Sequence, residues 1–181
     1  MSQGHKKPTP FEIAIGWIRI AEGVSATDDP ADHGGDTLFG ISRAAHPEAW
    51  ANGPPSWQRA QQIYKRNYWD GRGCDMLPLW AALAVFDGEV QHRPHTAVRM
   101  MQDCLGVKAD GIIGPKTRRA ANSAAPWQRV FDRYLTRRAH LYSDIVASDS
   151  SQARFLNGWF WRMFRLQRFV LNQVELWGAD Q

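Results

Sequence analysis

Three side chains in this sequence have the types and spacing for acid–base chemistry: Glu22, Asp32 ten residues on, and Thr37 fifteen residues on. Phe11, Ile15, Ile18 and Glu22 fall at offsets 0, 4, 7 and 11, which is one face of a helix. A carboxyl group ending an apolar stripe is partly desolvated, and desolvation disfavours its charged form and raises its pKa. A glutamic acid kept protonated near neutral pH can act as a general acid. Asp32 belongs to the turn Asp32-His33-Gly34-Gly35-Asp36, whose glycines keep a carboxylate solvated and ionised. A protonated Glu and an ionised Asp across a cleft is the division of labour of glycosidic bond hydrolysis. The Thr37 hydroxyl would orient a water. Taken alone, Glu22 reads more plainly as a helix-end carboxylate facing solvent. The glycine-flanked Asp32 and Thr37 are what favour chemistry.

Positioning these groups requires a helix that ends at Glu22. Thr9-Pro10-Phe11-Glu12 is a helix start, with Thr9 as cap, Pro10 in the first helical position and Glu12 completing a capping box. Turn chemistry follows from Gly23, and short extended pieces around Thr37 to Ile41 predict a small β-hairpin near residues 24–41. Ser56 caps a helix with Trp57, Ala60, Tyr64 and Tyr68 on one face. Leu79, Leu83, Phe86 and Val90 mark another helix. Thr96 is the expected cap of a short helix closed by Gly106, and Gly114-Pro115 opens the next, to about Asn122. Trp127 to Ile145 is a long amphipathic helix. Ser148 to Ser151 reads as a linker, and a final aromatic and Arg-rich helix runs from about Gln152 to Trp177. The fold class is therefore mainly α with one small β-hairpin. A soft boundary near Arg93-Pro94 divides residues 9–93 from 94–181, the two sharing one core or not.

The composition, 44% hydrophobic and 22% charged, is that of an ordinary globular protein and excludes disordered and collagen-like classes. A net charge of +4 favours polyanionic partners: nucleic acid, anionic lipid or a bacterial wall. Nine tryptophans is a high count; most read as core packing, and some suit a groove for flat sugar rings. Cys74 and Cys104 read as two buried free thiols. The basic N-terminus precedes a run, Phe11 to Ala21, that is too short and polar to span a membrane, so no signal peptide is expected.

The stretch Glu22-Gly23, then Asp32-His33-Gly34-Gly35-Asp36-Thr37-Leu38-Phe39-Gly40-Ile41-Ser42, resembles the signature of glycoside hydrolase family 108. The likeness continues through Tyr68-Trp69 and Ala84-Val85-Phe86-Asp87 and covers most of the chain. It departs at Val24, where the family has glycine, and at Val90-Gln91-His92-Arg93, where related sequences often read V-N-x-G. The resemblance implies a lysozyme-like helical N-acetylmuramidase of phage-endolysin type. It cleaves the β-1,4 bond between N-acetylmuramic acid and N-acetylglucosamine, with Glu22 as the acid and Asp32 and Thr37 assisting. It also implies substrate contacts at His33, Gly35, Tyr64, Tyr68, Trp69, Asp87 and Gln91. Ala97 to Gln102 and Asp110-Gly111-Ile112-Ile113-Gly114-Pro115-Lys116-Thr117 resemble predicted peptidoglycan-binding regions that accompany the family, although that motif is equally a well-built turn and helix start.

The implied partner is bacterial peptidoglycan, with synthesis in the cytoplasm, monomeric state and passage to the wall through a holin. A lytic transglycosylase and a non-catalytic wall-binding protein are the rival readings. No cofactor and no metal are expected: His92 and His95 flank a proline, and no HExxH is present. Nucleic acid is not expected, since no known module is present. In the C-terminal helix Trp159, Phe160, Trp161, Phe164 and Phe169 mix with Arg154, Arg162, Arg165 and Arg168. That pattern reads first as a core helix with a cationic outer face. Contact with anionic lipid or lipopolysaccharide would require the aromatics to be exposed.

Overall fold

The computed structural model describes residues 7–22 and 36–179. Asp32, His33 and Gly35 lie outside the described residues, as does most of the region expected to form the hairpin. The chain divides into two compact units, Met1–Gly71 and Arg72–Gln181.

The first unit holds α1 (Pro10–Glu22), β1 (Thr37–Leu38), β2 (Ile41–Ser42) and α2 (Trp57–Tyr64), followed by a π-helical turn over Lys65–Trp69. The capping box forms as the sequence predicts: Thr9 N–H donates to Glu12 Oε2 at 2.7 Å and Glu12 N–H to Thr9 Oγ1 at 3.2 Å. Ile13, Ala14, Ile15, Trp17 and Ile18 are buried, a broader face than the predicted stripe, and Glu22 ends it half-buried. β1 and β2 pair antiparallel, Thr37 opposite Ser42 and Leu38 opposite Ile41. Ser56 caps α2 by accepting from Arg59 N–H at 3.2 Å.

The second unit is built around α3 (Leu79–Gln91), in which every residue from Leu79 to Glu89 is buried. A helix apolar all round belongs at a centre. α3 packs against α4 (Thr96–Cys104), α6 (Trp127–Ser148) and α7 (Leu156–Ala179), with α5 (Pro115–Asn122) between α4 and α6 in sequence. The contact division falls ahead of α3, between Gly71 and Arg72. α6 runs to Ser148, and Asp149 caps a 3₁₀ turn, Ser150–Phe155, where the sequence suggested linker and α7. Cys74 and Cys104 are both free and buried.

Two acidic residues on α3 explain how the unit closes. Glu89 is 1% exposed and accepts from Arg72 Nε at 2.6 Å and from the backbone N–H of His95, Ala97 and Val98 at 2.9, 3.1 and 3.2 Å. It thus supplies the anion for the N-terminus of α4. This corrects the predicted cap: Thr96 is already helical, and His95 precedes it in the left-handed region at φ 67° with no side-chain cap. One residue before Glu89, Gly88 lets α3 meet its neighbours, because a Cβ there would overlap Tyr134 Oη and Ala97 Cβ. Tyr134 Oη donates to Ala84 O at 2.9 Å, so it cannot swing aside freely. Gly88→Ala should cost about 1–3 kcal/mol of stability through overpacking, measured by urea denaturation.

Candidate active site

Glu22, the hairpin turn and Tyr64 meet at Gly40. The two residues linking β1 to β2 are Phe39 at φ 54° and Gly40 at φ 73°, the double positive φ that a two-residue hairpin loop favours. A bulky residue there is an outlier. Phe39 is fixed by edge-to-face contact with Trp57, ring centroids 5.4 Å apart, and by its carbonyl, which accepts from Tyr64 Oη at 3.0 Å. A Cβ built on Gly40 would stand 3.1 Å from Glu22 Cγ and 3.2 Å from Cδ, and would overlap Tyr64 Oη. Only glycine lets the turn approach the end of α1 so closely. The hairpin is also tied by Trp50 Nε1, which donates to the buried Ile41 O at 3.2 Å, and by Arg43, which pairs with Asp36 at 2.7 Å.

The other expected site residues divide. Thr37 is half-buried on β1. Tyr68 is half-buried with its ring 5.7 Å from that of Tyr64. Tyr64 is 2% exposed, so its hydroxyl fixes the turn and its ring offers no face to a sugar. Trp69 is 0% exposed and packs edge-to-face on Phe11 at 5.6 Å. A ring without accessible surface cannot stack on a ligand, so its expected substrate contact is replaced by packing.

Asp87 is corrected in the same way. It is 0% exposed and lies between Arg138 NH1 at 2.6 Å and Arg162 Nε at 2.8 Å. Arg138 Nε donates to Tyr142 Oη at 2.8 Å, and Arg138 NH2 to Gln91 Oε1, which also accepts from Tyr142 Oη at 3.2 Å. Gln91 is thus engaged inside the unit. His92 sits beside this cluster, its ring 5.8 Å from Tyr142. Burial, with the positive charge of Arg138, lowers its pKa from the usual 6.5 to about 4, against the pull of Asp87. Two acids on an otherwise apolar helix, Asp87 and Glu89, were the sequence signal for these networks.

The Asp110-to-Thr117 loop is organised by a third buried polar group. Gln102, 1% exposed, places Nε2 2.8 Å from Asp110 Oδ1, 2.9 Å from Ile112 O and 3.0 Å from Thr117 Oγ1, and its Oε1 accepts from Gly111 N–H at 2.8 Å. Hydrogen bonds from the Gln102 side chain and Ile112 N–H hold the exposed Asp110 carboxyl below its usual pKa. The loop displays Ile112, 66% exposed, beside a groove of about 440 Å³ flanked by Lys108, Asp110 and Lys116. The polar groups of the motif are therefore scaffold, and Ile112 is surface.

Comparison with known proteins fits this geometry. Residues 15–92 match the model described as Glycosyl hydrolase 108. The first part of the chain thus carries a glycosyl hydrolase 108 domain. Residues 96–164 of the hydrolase match a second model, described as Predicted Peptidoglycan domain. Among solved structures it is similar to SagA of Brucella abortus at 29% identity and a TM-score of 0.73, over 90% of this chain and 94% of that one. No curated protein matches it. The hydrolase is a mainly α, lysozyme-like glycoside hydrolase whose partner is peptidoglycan.

Two outcomes follow. Gly40→Ala should fold but lose at least about tenfold in lysis of purified sacculi, roughly 1.4 kcal/mol, if the turn against Glu22 belongs to the site. Gly53→Ala, at φ 99° with nothing within 4 Å, is the matched backbone control and should keep its activity. For His92, the unfolded chain takes up the proton first as pH falls. Its contribution is intact above about pH 6.5, is lost down to about pH 4 and is level below that, by up to about 3 kcal/mol. His92→Gln should flatten that part of the pH–stability curve, read by denaturant melts.

Proposed function

We propose that this hydrolase is an N-acetylmuramidase with Glu22 as its general acid. The observation that carries the reading is the placement of the Glu22 side chain against Gly40, at the end of a buried helical stripe and beside a hairpin turn fixed by Tyr64. Glu22 donates its proton to the glycosidic oxygen as the bond to C1 of the muramic acid breaks. Asp32 stabilises the oxocarbenium-like sugar or activates the water that adds to C1, and Thr37 orients that water. Where Asp32 only stabilises the sugar, the deprotonated Glu22 takes the water's proton and is restored; where Asp32 activates the water it takes that proton, and exchange with solvent resets both carboxyl groups. The match of residues 96–164 supports wall binding in the second unit, and the groove beside Ile112 is the surface we assign to it.

The test is digestion of purified sacculi with the parent protein and with Glu22→Gln, followed by mass spectrometry of the muropeptides. The parent should release reducing muramic acid ends. Glu22→Gln should bind sacculi as before and lyse them at least about a hundredfold more slowly. Undiminished lysis by the variant would sink the acid assignment, and anhydro-muramic ends would make the enzyme a lytic transglycosylase.

A further inference from the structure

We propose that the outer face of α7 docks on the surface of an anionic phospholipid bilayer. The inner face of this helix is accounted for. Met163, Leu166 and Val170 are 6, 0 and 0% exposed, and Arg162 turns inward onto Asp87. Trp159 stacks on Tyr142 at 5.1 Å and Phe160 meets it edge-on at 5.9 Å. Phe164 stacks on Phe160 at 6.4 Å, yet it and the other large apolar side chains of the outer face stay open to solvent. Trp161 is 61% exposed, Phe164 55%, Leu171 40% and Leu176 61%.

These residues share one face with two cations. At helical spacing Trp161, Phe164, Arg165, Arg168, Leu171 and Leu176 fall within one side of the cylinder. Arg165 and Arg168 are both exposed and stand between the aromatic and aliphatic groups. A helix with such a face lies in the interfacial plane, its rings among the acyl boundary and its guanidinium groups at the phosphates. No described helix is long and apolar enough to cross a membrane, so the binding is to a surface.

The charge pattern selects this occupant over a second copy of the chain. In a self-complementary pairing the face meets itself. The exposed charges it brings along α7 are Arg165, Arg168 and the single acid Glu175, so two arginines per copy would confront one carboxylate. A lipid surface of phosphates supplies the missing negative charge at every position.

Vesicle flotation of the full-length protein tests the proposal. It should bind vesicles of mixed phosphatidylglycerol and phosphatidylcholine at least about tenfold more tightly than pure phosphatidylcholine. Arg165→Glu/Arg168→Glu should lose at least about thirtyfold of that affinity, and Trp161→Ser/Phe164→Ser should lose it comparably. Both variants should keep the parent's melting temperature and its lysis of lipid-free sacculi, because these side chains support neither the core nor the acid. Equal binding to both vesicle types overturns the proposal. So does unchanged binding by the arginine variant, or a dimer in sedimentation that Trp161→Ser/Phe164→Ser dissolves.

Discussion

A carboxylate without exposed surface, held between two arginines from different helices, governs the second unit. Asp87 on α3 pairs with Arg138 on α6 and Arg162 on α7. Each charge is too costly to bury alone, so the three helices must arrive together and in register. Gln91 and the Tyr142 hydroxyl occupy further N–H groups of Arg138. Burial, helped by the same arginine charges, keeps His92 neutral. Because Arg162 faces inward, Met163, Leu166 and Val170 follow it into the core, and Trp161, Phe164, Arg165 and Arg168 are left outside. One buried pairing thus decides which half of an aromatic helix the solvent sees.

In the first unit the corresponding constraint is steric. The end of α1 and the hairpin turn approach within van der Waals distance only because residue 40 has no side chain. Phe39 is forced into the left-handed region by the same turn, and the contacts with Trp57 and Tyr64 offset that strain. Backbone strain held by surrounding contacts is common where catalytic groups must be fixed.

Local signals were the legible ones. The capping box at Thr9, the Ser56 cap and the apolar run of α3 each rest on neighbours in sequence, and each element formed. The Glu22 stripe was legible for the same reason, as was the mixed face of α7 in outline. Side chains that act across the fold were not. Trp69 and Tyr64 carry aromatic rings that suit sugars, and only three-dimensional packing removes them from the surface. Thr96 has the chemistry of a cap, yet Glu89 from the preceding helix outcompetes it. Asp87 lies in a family-like motif, but its partners are fifty and more residues away, beyond any spacing rule.

The two cysteines carry a consequence for where this fold can persist. Cys74 has 0% and Cys104 3% exposure, and burial pushes the Cys104 thiol above its ordinary pKa. A thiol that is neither ionised nor reachable reacts slowly with oxidants and with other disulfides. The folded chain therefore depends on no cross-link and offers none, so an abrupt move from a reducing to an oxidising solution would leave its covalent structure as it was.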